Sequence, residues 1–196
     1  MIKKLSSLLT NIISRSKPID EDEMRIYEYC IHIILKRCLF VILIILFGVI
    51  TKRISVSLLF LLTFIPLRSF CGGMHASTPT VCSVLSYGIS LAVIFFSPLI
   101  GKNIPFIFLV CIFILFCISI LIFAPVDTRN KRLNPKQKCS LKNKCYILMF
   151  FIVAAFVIFS IFRAQTYYMT LTLCVIICSI SVVIGFLQNR RIQNEI

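Results

Sequence analysis

Carboxylates and imidazoles are what this sequence has least of. Its 196 residues hold seven Asp and Glu against 21 Lys and Arg, and only two histidines, His32 and His75. Chemistry that needs a base near neutral pH therefore has few candidates. Ten cysteines are present, but Cys30, Cys71, Cys82, Cys139 and Cys145, those outside or at the edge of the apolar runs, show no CxxC pair or regular spacing, so neither a zinc module nor a disulfide framework is supported. Cys38, Cys111, Cys117, Cys174 and Cys178 lie inside apolar runs and read as small hydrophobes, and the thiols are expected to be mostly free. Basic residues do not interleave with aromatics as on a nucleic-acid platform, so no nucleic-acid partner is expected. The N-terminal MIKKLSSLLTNIISRSKPIDEDEMR lacks a continuous apolar region followed by a small-residue cleavage site, and does not read as a secretory signal.

What the chain does have is apolar length. At 59% apolar residues and a mean hydropathy of +1.00 it cannot hide its surface in one soluble core of this size. The apolar runs are Cys38–Ile50, Ile54–Leu67, Val81–Ile100, Ile104–Ala124, Cys145–Phe162 and Tyr167–Leu187. The last four are long enough to cross a hydrocarbon core of ~30 Å. The first two are shorter and are read as tilted spans or spans lengthened by snorkelling Lys36, Arg37, Lys52 and Arg53, the first beginning as early as Ile31. Ahead of them Ile2, Leu5, Leu8, Leu9, Ile12 and Ile13 recur at helical spacing and predict a short interfacial amphipathic helix. The expected fold is an all-α polytopic membrane protein of about six hydrophobic helices. It forms one domain over 1–196: an interfacial region 1–30, four spans within 38–124, a basic loop 125–144 and two spans within 145–187.

Charge orients this layout. With a cytoplasmic N-terminus, 17 of the 21 basic residues fall in inside segments and only Lys52, Arg53, Lys102 and Arg163 fall outside. The positive-inside rule then puts both termini, and the segment 68–82, in the cytoplasm. Most of the net charge of +14 is a topology signal for loops beside an anionic leaflet, although an acidic peptide is a possible ligand for the loop Arg129–Lys144.

One segment, RSFCGGMHASTPTVC from Arg68 to Cys82, carries candidate chemistry. Ser77, Thr78 and Pro79 signal a helix start, which puts Cys82 in or just after a first turn where the helix dipole favours a thiolate. His75 is the base at hand, because His32 lies far upstream and the carboxylates are mostly N-terminal. In one straight helix the two would stand about 10 Å apart along the axis; the Ser-Thr-Pro break lets the chain fold back. Gly72 and Gly73 permit positive φ and close backbone approach, and Arg68 can orient a carboxylate or a peptide carbonyl. The same residues also fit a plain polar turn between buried helices. A zinc site of Cys71, His75 and Cys82 has no fourth ligand or catalytic Glu nearby, so no metal or cofactor is expected. A transporter is a rival reading, but the last four spans carry almost no ionisable residues away from their ends.

These residues resemble the accessory gene regulator B family, AgrB, bacterial membrane endopeptidases that process quorum-sensing peptides. The match is Arg68, Gly72, Gly73, His75 with Ala76, then Cys82 and Ser86 in the family's order and spacing. APVDTRNKRL, Ala124–Leu133, at the entrance to the basic loop is a second match, and the likeness covers nearly the whole chain. It implies a nucleophile at Cys82 and its base at His75, with Arg68, Gly72, Gly73 and Ser86 in support. The implied reaction is cleavage of an AgrD-like propeptide through a Cys82 thioester, with closure to a thiolactone or lactone. The resemblance further implies a homodimer in the bacterial cell membrane and contact of Arg129, Lys131 and Arg132 with the peptide's acidic tail. Asp127 would orient His75 only where the two loops meet. Met74 stands where the family often has an aromatic residue and Arg132 where proline is frequent, and both departures bear on substrate choice. The alternative function is a peptide exporter or binding protein without hydrolytic activity.

Overall fold

The computed structural model describes residues 5–10, 20–74, 79–100, 104–126 and 134–194. Among these, 90% are helical and none is in a strand. The helices are α1 (5–10), α2 (Glu21–Ile50), α3 (Ile54–Cys71), α4 (Pro79–Ile100), α5 (Phe106–Phe123), α6 (Pro135–Ile161) and α7 (Gln165–Asn194). From α2 onward all six are long and apolar enough to cross a membrane, as an all-α, multi-pass membrane protein requires. Helices dominate for a physical reason: hydrocarbon offers the backbone no hydrogen-bond partner, so each span must satisfy its own amides. Side-chain hydroxyls follow the same constraint. Thr63, Ser86, Ser90, Ser160, Thr170 and Thr172 each donate to the carbonyl four residues back.

The chain divides into two compact units at Leu46 and Phe47. In the first, α1 turns Leu5, Leu8 and Leu9 outward while Ser6 and Thr10 are buried. The remainder is most of α2. Residues 21–37, which precede the first apolar run, continue it as one helix, because no proline or glycine interrupts the sequence from Asp20 to Phe47. The first span is thus an apolar helix of 29 residues, Asp22–Ile50, rather than a short crossing. A similar extension occurs in α6: half of the basic segment read as loop, residues 135–144, is helical. Pro135 occupies the first turn and the Asn134 amide donates to the Gln137 side chain at 3.4 Å.

The second unit packs α3 to α6 around α7. Half of α7's apolar window is buried, against 22% for those of α4, α5 and α6. Leu171, Cys174, Val175, Cys178 and Val182 form its buried stripe at helical spacing. Between α5 and α6, Phe113 stacks on Phe156 with centroids 4.0 Å apart, and Tyr168 of α7 meets Phe156 edge to face.

At one end of this unit, short turns link α2 to α3 and α6 to α7, and each uses a basic residue at positive φ, Lys52 at 57° and Arg163 at 52°. Beside Lys52, Arg53 reaches α4 and donates through Nη1 to the carbonyls of Ile94 and Phe95, at 3.3 and 2.8 Å. Its guanidinium also lies 5.7 Å from the Phe95 ring centroid. The reason is Pro98. A proline has no amide to give the carbonyl four residues back, which is that of Ile94, and the arginine supplies the missing donor.

Arg53→Ala is therefore expected to destabilise the protein by about 1–2 kcal/mol, read as a lowered thermal midpoint in detergent. In a Pro98→Ala background, where residue 98 again has an amide, the same change costs markedly less. Equal losses in both backgrounds disprove the substitution of guanidinium for amide.

Candidate functional site

The far end of the second unit collects the residues of interest. α3 ends at Cys71, and its last turn carries Arg68. Two glycines follow with φ of 72° and 131°, a region that side-chain-bearing residues rarely enter. This lets the backbone leave the helix axis at once and run to Met74 along α7.

Three elements secure that short arm. The Val126 amide donates to the Cys71 carbonyl at 3.0 Å, and the Met74 amide donates to the Ser181 carbonyl at 2.8 Å and to its hydroxyl oxygen at 3.2 Å. Arg68 completes the set, donating through Nη2 to the Met74 carbonyl at 2.5 Å and through Nη1 to the Ser181 hydroxyl. The approach is close: a Cβ on Gly72 would lie 2.6 Å from the Val126 carbonyl oxygen, and one on Gly185 would lie 2.7 Å from the Gly73 carbonyl carbon.

α4 begins at Pro79, which sets Cys82 in its first turn, near the positive end of the helix dipole. Cys82 is half-buried and free. It faces a cavity of about 250 Å³ whose lining includes Phe64 and Arg68 from α3, Met74, Leu85, Ser86 and Ile89, and Cys178, Ser181 and Ile184 from α7. Ser86 sits one turn beyond Cys82 and donates to its carbonyl at 2.9 Å. The cavity is therefore mostly apolar, with a thiol in one wall and a guanidinium in another.

Of the residues singled out from sequence, Arg68, Cys82 and Ser86 meet at this cavity, and Gly72 with Gly73 forms the arm beside it. His75, Asp127, Arg129, Lys131 and Arg132 lie outside the described residues. Cys71, considered as a metal ligand with Cys82, is buried with its sulfur 3.2 Å from that of Cys145 on α6. The sequence reading placed a span at Tyr167–Leu187 but gave α7 no part in the site. Cys178, Ser181 and Gly185 stand about a hundred positions from Cys82, and small residues in an apolar run give no sign of the helix they will face.

The sequence profile of the family described as Accessory gene regulator B, AgrB, matches residues 6–184. Two AgrB-like proteins of Clostridium perfringens are similar. That of strain SM101 is 29% identical over 144 residues, covering 70% of this chain and 67% of that protein. That of strain 13 is 28% identical over the same length and shares. No solved structure matches.

The glycine arm generates a stability prediction. Gly72→Ala forces a side chain into positive φ and against the Val126 carbonyl, and is expected to cost about 1–3 kcal/mol. Thermal unfolding in detergent measures this, with Gly88→Ala as the control, since a Cβ there meets nothing within 4 Å among the described residues. A Gly72→Ala midpoint no lower than that of the control contradicts the close approach.

Proposed function

The chain belongs to the accessory gene regulator B family, and on that premise we propose that it is a membrane cysteine endopeptidase that cleaves an AgrD-like propeptide and promotes its cyclisation. The observation that carries the reading is the placement of Cys82, a free thiol in the first turn of α4 that opens onto an apolar cavity also lined by Arg68. A thiolate is the nucleophile that acyl transfer needs, and His75 is the base that generates it in this reading.

The reaction runs in two transfers. His75 takes the Cys82 proton, and the thiolate attacks the carbonyl at the boundary between the ring-forming part of the peptide and its tail. The carbon–nitrogen bond breaks, the imidazolium returns its proton to the departing amine, and the peptide remains as a thioester on Cys82. A thiol or hydroxyl within the same peptide then attacks that carbonyl, closing a thiolactone or lactone and freeing Cys82. Thiol-to-thioester exchange roughly conserves the energy of the acyl group, provided water stays out. The apolar walls, Phe64, Leu85 and Ile89 among them, supply that exclusion. Their volume suits one bulky apolar side chain of the peptide next to the attacked carbonyl.

The end of the bundle that holds Cys82 faces the cytoplasm of a bacterial cell, in accord with the lysines at 136, 138, 142 and 144 on the exposed start of α6 and the positive-inside rule. Arg129, Lys131 and Arg132 contact the acidic tail, Gly72, Gly73 and Ser86 support the site, and the protein acts as a homodimer within a single functional domain.

Purified protein reconstituted with an AgrD-like peptide is expected to show a thioester adduct on Cys82 and a loss of the tail mass by mass spectrometry. His75→Ala should slow acylation by about 100-fold or more, and Cys82→Ser should form no thioester. Full processing by either variant sinks the proposal, and movement of the peptide without any change of mass favours an exporter or binding protein instead. Filling the cavity with Ile89→Phe is expected to raise KM several-fold while the thermal midpoint holds; an unchanged KM disconnects the cavity from the peptide.

A further inference from the structure

The reaction proposed above uses residues of the α3–α4 connection, and the described part of that connection, Gly72 to Met74, is bonded to α7. Met74 is the residue directly before His75 in the chain. Both of its backbone polar groups are occupied: its amide by the carbonyl and hydroxyl oxygens of Ser181, and its carbonyl by Arg68. The Ser181 hydroxyl in turn accepts from Arg68. One side chain thus meets both the arm and the cation that lines the Cys82 cavity.

Gly185 makes this possible. In α7 the carbonyl of residue 181 is the helical acceptor for the amide of residue 185, so the Met74 amide must share that oxygen with the helix. It reaches it only where α7 has no side chain in the way: a Cβ on Gly185 would lie 2.7 Å from the Gly73 carbonyl carbon and 2.9 Å from the Met74 nitrogen. Ser181 and Gly185 are one turn apart on the same side of α7, a hydrogen-bonding seat beside a bare one. Gly73 completes the fit, since a Cβ there would lie 2.5 Å from Arg68 Nη1 and 2.6 Å from the Ser181 hydroxyl oxygen.

From this we infer that Ser181 and Gly185 are positioning residues for acyl transfer at Cys82: α7 holds the end of the arm from which His75 continues, together with the Arg68 guanidinium. The inference rests on the cysteine-peptidase reading of the site. Ser181 lines the same cavity as Cys82, but its hydroxyl oxygen is taken up by Arg68 and the Met74 amide. Loss of Ser181 or Gly185 acts on the rate of acylation at saturating peptide, because it displaces the base and the guanidinium while leaving the apolar cavity walls in place.

Two measurements on the full-length protein in proteoliposomes test this. The first is single-turnover formation of the Cys82 thioester with an AgrD-like peptide. The second needs no peptide: the rate of Cys82 alkylation by iodoacetamide at pH 7, followed by mass spectrometry, with His75→Ala as the reference for a thiol without its base. Ser181→Ala is expected to lower the acylation rate about tenfold or more with KM within twofold, and to slow alkylation towards the His75→Ala value. Ser181→Thr, which keeps the hydroxyl, restores most of both. Gly185→Ala follows Ser181→Ala in both assays. Ser179→Ala, a buried position on the same helix whose hydroxyl oxygen has no partner among the described residues, stays within twofold of the wild type, and thermal midpoints show that the variants are folded. Acylation and alkylation within twofold of the wild type for both Ser181→Ala and Gly185→Ala overturn the inference and leave the peptidase reading standing. A wild type that never cleaves the peptide defeats that reading, while the alkylation rates still decide whether α7 controls the thiol's surroundings.

Discussion

Everything at the candidate site depends on how a stretch of non-helical backbone is satisfied at the end of an apolar bundle. Cys71 is the last residue of α3, and the arm to Met74 has left the helical ladder, so its amides and carbonyls need partners from elsewhere. They find them on two other elements. Val126, following α5, supplies a donor to Cys71, and Ser181 of α7 supplies acceptors to Met74, while Arg68 turns back from α3 to the Met74 carbonyl. Removing any of these takes a partner from a polar group that is at least part-buried.

The opposite end of the unit solves a related problem with the same residue type. Pro98 deprives α4 of one amide, and Arg53 stands in for it at the Ile94 and Phe95 carbonyls. Arginine suits both places because its planar fork offers several donors at once and its long stem can cross to a neighbouring helix. Charges that read in the sequence as topology markers therefore also act as backbone partners. Arg68 and Arg53 are the two clear cases, and in both the acceptor is a carbonyl rather than a carboxylate, which fits a chain with so few acids.

The cavity adjoins the arm. Met74, held against α7, helps to line the space between α3, the start of α4 and α7 beside Cys82. Its walls are apolar because each helix presents there the kind of side chain that lipid or a core would equally accept. A thiol at a helix start in such a setting is well suited to acyl transfer, in which water is the competitor to be kept away. The proposed reaction draws on both AgrB family membership and the geometry around Cys82.

Hydropathy alone determined the class of the protein: six apolar runs, four of them long enough to cross a membrane, exceed what a core of this size could enclose. The helix start at Pro79 and the importance of Gly72 and Gly73 were also legible, because proline at a first turn and paired glycines are local signals that need no knowledge of neighbours. The unbroken length of α2 and the helical start of α6 were not read from hydropathy, which follows polarity, whereas helix continuity requires only the absence of breakers and a fitting first turn. The part played by α7 was out of reach of the sequence. Which helix meets the arm is set by the packing of five helices at once, and a serine and a glycine in an apolar run look the same whether they face lipid or carry a hydrogen bond across a hundred residues of chain. Only the tertiary structure decided that Ser181 and Gly185 would meet Met74, because a contact between distant segments is a property of the assembled bundle and not of either segment.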